Sequence, residues 1–183
     1  KDLLGRQTKK GIAKDDFILL SHFEESSGPL KFVFKNANWG IPVRPHDAIS
    51  LALKFKAPVY EFHVSYKDLE RDLPDADWSV MADAKILVHA PELFTNSLLL
   101  NLCDEKNKSL HIANLNKVCD FSRKLAKKIG INHDVKIIAN IGGFSIHGFK
   151  SPNEKSYLYE LVAENLKSIE EEGCEIIIQN MAP

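Results

Sequence analysis

The chain has 183 residues, of which 44% are hydrophobic, 27% charged and 9% aromatic. That is the composition of a globular domain, not of a disordered segment, a collagen-like repeat or a coiled coil. Lys and Arg number 24 against 25 for Asp and Glu, a net charge of −1, so the basic footprint of a nucleic-acid binder is missing.

One full-size core fits this length, and a second would have to be small. No apolar run approaches the roughly 20 residues of a membrane span. Three scattered cysteines, Cys103, Cys119 and Cys174, suit a reducing compartment. The polar start KDLLGRQTKKGIAKDD has no apolar signal region. The expectation is a soluble, cytoplasmic chain without membrane contact.

Residues 1–24 mix short apolar pairs with charged residues around Gly11 and Asp15-Asp16, and they are too few for a core of their own. Residues 25–29 (ESSGP) read as a linker. From residue 30 onward, apolar runs alternate with amphipathic segments. Strands are predicted over residues 30–35 (LKFVFK), 59–65 (VYEFHVS), 85–89 (KILVH), 135–141 (VKIIANI) and 174–179 (CEIIIQ). A short helix fits residues 45–56, ending before Pro58. A long one fits residues 110–129, with Leu115, Val118, Cys119, Leu125 and Ile129 at helical spacing and Gly130 as its stop. Ser151-Pro152-Asn153-Glu154 has the form of a capping box with proline at the first helical position. The helix it opens should bury Leu158, Leu161, Val162, Leu166 and Ile169.

Apolar strands alternating with helices imply parallel pairing, hence an α/β fold. An open dinucleotide-binding sheet would carry a glycine fingerprint after its first strand, and Asn36-Ala37-Asn38-Trp39-Gly40 is not one. The other architecture is a (β/α)8 barrel. A full barrel needs about 250 residues, so five strands followed directly by Met181-Ala182-Pro183 read as an incomplete one, its open edges inviting a second copy to pair.

In such a barrel the chemistry lies at the C-terminal strand ends. His63 and His89 stand at equivalent ends of neighbouring strands, which lie about 4.8 Å apart. Their imidazoles suit one metal ion or one substrate oxygen, although each also fits a core histidine. Asn38 and Trp39 follow the first predicted strand, His147 follows the Gly142-Gly143 pair, and Gln179 and Asn180 end the fifth strand. Asn38, Trp39, His147 and Asn180 are candidate substrate contacts. His22, His46, His111 and His133 read as surface residues. No nucleophile motif occurs, and no C-x-x-C pair suggests structural zinc.

His63-x-Ser65-Tyr66, Val88-His89-x-Pro91 and the ending Asn180-Met181-x-Pro183 resemble the xylose-isomerase-like barrels, a superfamily that includes sugar-phosphate isomerases, epimerases and abasic-site endonucleases. The resemblance spans residues 30–183. It implies the first five strands of that barrel and a divalent metal (Mn, Mg or Zn) held by His63, His89 and the residue at position 179. Most members have glutamate where this chain has Gln179, a neutral and poorer ligand.

Residues 1–24, with Asp2-Leu3-Leu4-Gly5-Arg6-x-Thr8 and later Asp16-Phe17, resemble the end of an antifreeze-like SAF domain. A SAF tail followed by such a barrel is similar to the sialic acid (N-acetylneuraminate) synthase-related proteins of nonulosonate biosynthesis. The resemblance implies a sugar or sugar phosphate as ligand and no nucleic acid. Three functions compete. One is a sugar isomerase- or epimerase-like enzyme barrel in such a biosynthetic protein. Another is a barrel that has lost catalysis and serves binding or assembly. The third is an abasic-site endonuclease-type barrel, which the balanced charge disfavours.

Overall fold

The computed structural model describes Gly11 and residues 39–133, 135–140, 142, 148–170 and 174–179. The chain divides into two units, Lys1–Val33 and Phe34–Pro183, and all described residues except Gly11 belong to the second. The SAF-like tail, the linker over 25–29 and the strand predicted over 30–35 lie outside the described residues.

The second unit is α/β. Its elements run β1 (Ile41–Val43), α1 (Ala48–Phe55), β2 (Val59–His63), α2 (Tyr66–Leu69), β3 (Lys85–His89), β4 (Leu93–Phe94), β5 (Leu98–Leu99), α3 (Lys108–Ile129), β6 (Lys136–Asn140), α4 (Pro152–Glu170) and β7 (Ile176–Gln179). Five of the strands form one parallel sheet in the order β1-β2-β3-β6-β7, while β4 and β5 make a separate antiparallel hairpin between β3 and α3. β1 occupies a stretch that the sequence predicts as loop. Its central Pro42 lacks an N–H, which hides the strand from pattern reading. Among the described residues β1 pairs with β2 alone, and a strand with one partner tolerates proline. The hairpin replaces a predicted loop after β3; its strands of two residues each are too short to show alternation.

The sheet has two unlike faces because strand side chains alternate. Tyr60 and Phe62 of β2, Ile86 and Val88 of β3, and Ile137 and Ala139 of β6 are buried. They pack with Ala48 and Ala52 of α1, Leu115, Val118, Phe121 and Leu125 of α3, and Val162, Leu166 and Ile169 of α4 in one core. Each fully buried Val, Leu, Ile or Phe among them contributes about 1.5–3 kcal/mol. The other face carries Glu61, His63, Leu87, His89 and Ile138, all half-buried.

The ends of α1 and α3 and the start of α4 fall where the sequence puts them. Lys56, in the left-handed region at φ 43°, closes α1 through its N–H to the Ala52 carbonyl, ahead of Pro58. Ser151 and Glu154 form the predicted capping box of α4: the Ser151 N–H donates to Glu154 Oε2 at 2.8 Å, and the Glu154 N–H to Ser151 Oγ at 3.3 Å. Asn165, buried in α4, donates to the Leu102 carbonyl at 2.7 Å and ties the helix to the segment before α3.

Two glycines are fixed by geometry, to different degrees. Gly130 ends α3 at φ 85° with open space where a Cβ would stand, whereas Gly142 combines φ 82° with a Cβ position only 2.6 Å from the Asn101 Cα. Gly130→Ala should therefore cost about 1–2 kcal/mol, the left-handed penalty alone. Gly142→Ala should cost clearly more, because backbone must also move. Denaturant unfolding of the two variants measures the difference; equal losses would contradict the close approach at Gly142.

Candidate functional site

All five parallel strands send their C-terminal ends to one end of the sheet. β2 and β3 pair residue for residue from Val59 opposite Lys85 to His63 opposite His89. The two imidazoles therefore stand side by side, with ring centroids 4.8 Å apart and planes within 14° of parallel. The separation equals the strand spacing, so the register itself stacks the rings.

Each ring has its own oxygen partner. His63 Nε2 lies 2.7 Å from Glu61 Oε1 and donates to that carboxylate. Glu61 is two residues earlier on the same strand, hence on the same face. His89 Nδ1 lies 3.0 Å from the Ala90 carbonyl. A carbonyl only accepts, so the proton sits on Nδ1. His89 Nε2 then lies 2.9 Å from Gln179 Oε1. A protonated His89 donates to that oxygen, and a neutral one accepts from the amide NH2 once the amide is turned over.

Three further groups complete the rim. The Arg44 guanidinium, one residue past β1, donates to the His63 carbonyl at 3.2 Å. Asn140, buried at the end of β6 and in register with Gln179, donates through Nδ2 to Glu92 Oε1 at 3.0 Å. That bond holds the segment entering the β4–β5 hairpin against the strand ends.

The structure thus brings together His63, His89 and Gln179 of the residues singled out from sequence. Trp39 is placed elsewhere. It precedes β1, at the N-terminal end of the strands, and packs half-buried against the core. Its neighbour Gly40 abuts Val59, the first residue of β2. Asn38, His147 and Asn180 lie outside the described residues, as does His22. His46 and His133 are exposed as expected. His111 is not: it is 1% exposed on the inner face of α3. There its Nδ1 accepts from the Asn101 N–H at 3.4 Å and its Nε2 lies 3.6 Å from Asp104 Oδ2. The Asn107 side chain above all, with backbone N–H groups and His111 beside it, holds the Asp104 carboxyl below its ordinary range. The helical pattern around His111 hid this burial because the residue is polar.

Sequence reasoning missed Glu61, Arg44 and Asn140. The spacing Glu61-x-His63 was the available signal, since period-two alternation puts both side chains on one face.

The Glu61–His63 contact is half-exposed, with side chains 31% and 41% accessible, so solvent screening keeps its coupling small. A double-mutant cycle of Glu61→Gln and His63→Gln, read by denaturant unfolding at low salt, should give about 0.5–1 kcal/mol. A coupling indistinguishable from zero would mean the carboxylate does not orient the ring.

No family model matches the sequence, and no curated protein matches it.

Proposed function

We propose that the sheet is an arc of a sugar-handling (β/α)8 barrel of the xylose-isomerase-like kind. The site at its C-terminal end binds a sugar or sugar phosphate and moves a proton on it. An open doubly wound sheet reverses its strand order at a switch point, whereas these five strands keep chain order; that supports the barrel reading. The observation that carries the functional reading is the in-register, parallel pair of imidazoles with Glu61 and Gln179 as separate partners. Two stacked rings with different partners can divide the work. His63, oriented by a carboxylate, exchanges a proton with a substrate carbon or hydroxyl. His89 and the Gln179 amide hold a neighbouring hydroxyl. Arg44 supplies a guanidinium fork, which suits phosphate. The setting in sialic-acid-type biosynthesis rests on the motifs in residues 1–24.

A divalent metal is implied by the same resemblance. His89 suits it, because an Nδ1–H held by a backbone carbonyl is the usual support of a metal-bound imidazole. The donor set as a whole does not fit. Gln179 is neutral, and His63 Nε2 is engaged with Glu61. Among the described residues no group of three His, Cys, Asp or Glu is placed to hold an ion. A second reading, a barrel that binds sugar or assembles without catalysis, is favoured by Gln179 standing where a carboxylate is usual.

Calorimetry tests both points. Titrated with aldoses, ketoses and N-acetylated amino sugars, with and without phosphate, the protein should bind at least one phosphorylated sugar. Arg44→Ala should weaken that binding on the order of tenfold, as loss of a charge-assisted hydrogen bond does, and leave the unphosphorylated form nearly unchanged. Gln179→Glu, which adds an anionic oxygen beside the His89 imidazole, should raise the heat with Mn²⁺ or Zn²⁺ above that of the wild type. Negligible sugar heats throughout would overturn the sugar reading, and equal metal heats in both proteins would end the metal one.

A further inference from the structure

Away from the histidines, at the other end of the strands, two of the three cysteines meet. Cys119 lies in the middle of α3 and Cys174 two residues before β7. Both are buried free thiols, and both line a small cavity of about 40 Å³ with Arg123 and His133. Arg123 Nη2 donates to the Cys174 sulfur at 3.5 Å, while its Nη1 donates to Asp120 at 3.0 Å. The Arg123 side chain is 46% exposed and His133 is exposed, so the cavity is rimmed by groups that touch solvent.

The two sulfurs are not equivalent. Cys174 accepts a hydrogen bond from the Arg123 guanidinium, which places a cation against its sulfur. Burial, first of all, and then the hydrogen bond to Cys174 keep Cys119 protonated by pushing its pKa far up. One sulfur has a cation beside it, and the other keeps its proton. Cys103, by contrast, is half-buried near the α4 backbone, with its sulfur 4.0 Å from the Leu158 carbonyl, and has no second thiol beside it among the described residues.

We propose that Cys119 and Cys174 form a redox pair in which a small peroxide oxidises Cys174 and Cys119 resolves it into an intramolecular disulfide. The Cys174 thiolate attacks one peroxide oxygen, an S–O bond forms and the O–O bond breaks. The departing hydroxide takes up a proton and leaves as water. Cys119 then gives up its proton, its sulfur attacks the Cys174 sulfur, an S–S bond forms and the S–O bond breaks, releasing a second water. Two thiols and one hydrogen peroxide become one disulfide and two waters. A dithiol reductant reverses the change by exchange. The bridge ties α3 to the entrance of β7 and closes a loop that contains β6 and α4, so it restrains the unfolded chain and raises the melting temperature.

The test uses the full chain, reduced and then exposed to hydrogen peroxide. Its intact mass should fall by about 2 Da, the two hydrogens lost in forming a disulfide. Peptide mapping should link Cys119 to Cys174, the melting temperature should rise, and dithiothreitol should restore the starting mass. Cys119→Ser should leave a sulfenic acid at position 174 that dimedone traps, and Arg123→Gln should slow bridge formation on the order of tenfold. Oxidation confined to Cys103, with Cys119 and Cys174 recovered as thiols from the wild-type chain, would overturn the proposal; so would a bridge joining any other pair.

Discussion

Between β2 and β3 the register is fixed by what each face can bear. Tyr60, Phe62, Ile86 and Val88 must lie toward the helices, where they are at most 2% exposed, and alternation then turns Glu61, His63, Leu87 and His89 to the opposite face. Slipping one strand by a residue would put the Glu61 carboxylate into the core and Phe62 outside. Burying an ionised carboxylate without a partner costs far more than any single contact at the site returns. The stacked imidazoles are thus a by-product of hydrophobic sorting, positioned by side chains of the core.

The helix-covered core supplies the rigidity. Trp78, in the turn before β3, is 1% exposed and packs its ring 6.1 Å from that of Phe62, immediately behind His63 in sequence. Its Nε1–H donates to the Pro74 carbonyl at 2.9 Å, so burial leaves the indole satisfied. Past His63 the chain turns at once into α2, whose capping box joins Ser65 to Asp68. Past His89 it enters the hairpin that Asn140 clamps through Glu92. The two histidines sit at the last residues of regular strand, where backbone is held by the ladder and side chains meet solvent. That is where ligand groups on a parallel sheet are best placed.

Much of this was legible in the sequence, and the failures have physical causes. β3 matched its predicted bounds because the apolar run Ile86-Leu87-Val88 stands between Lys85 and His89. α4 declared its start through Ser151 and Glu154, and α3 its end through Gly130. β1 was hidden by Pro42, and the hairpin by its length. At the site, His63, His89 and Gln179 were visible because strand-end position is a one-dimensional property. Glu61 and Arg44 were missed because their roles depend on which face a residue takes and on the neighbouring strand. His111 was misjudged for a related reason: a polar side chain on the buried face of α3 is stabilised by Asn101 and Asp104, partners that lie outside the helical repeat. The cavity that Cys119 and Cys174 share brings together segments 55 residues apart and leaves no local signature.

Two imidazoles share the sheet end with different protonation sites: His63 carries its proton on Nε2 against Glu61, and His89 on Nδ1 against the Ala90 carbonyl. Long-range ¹H–¹⁵N correlation spectra of the histidine rings read this directly at a pH where both are neutral. The account predicts the Nε2–H tautomer for His63, the less common Nδ1–H tautomer for His89, and cross-relaxation between protons of the two rings. Both rings in the Nε2–H form with no contact between them would contradict it.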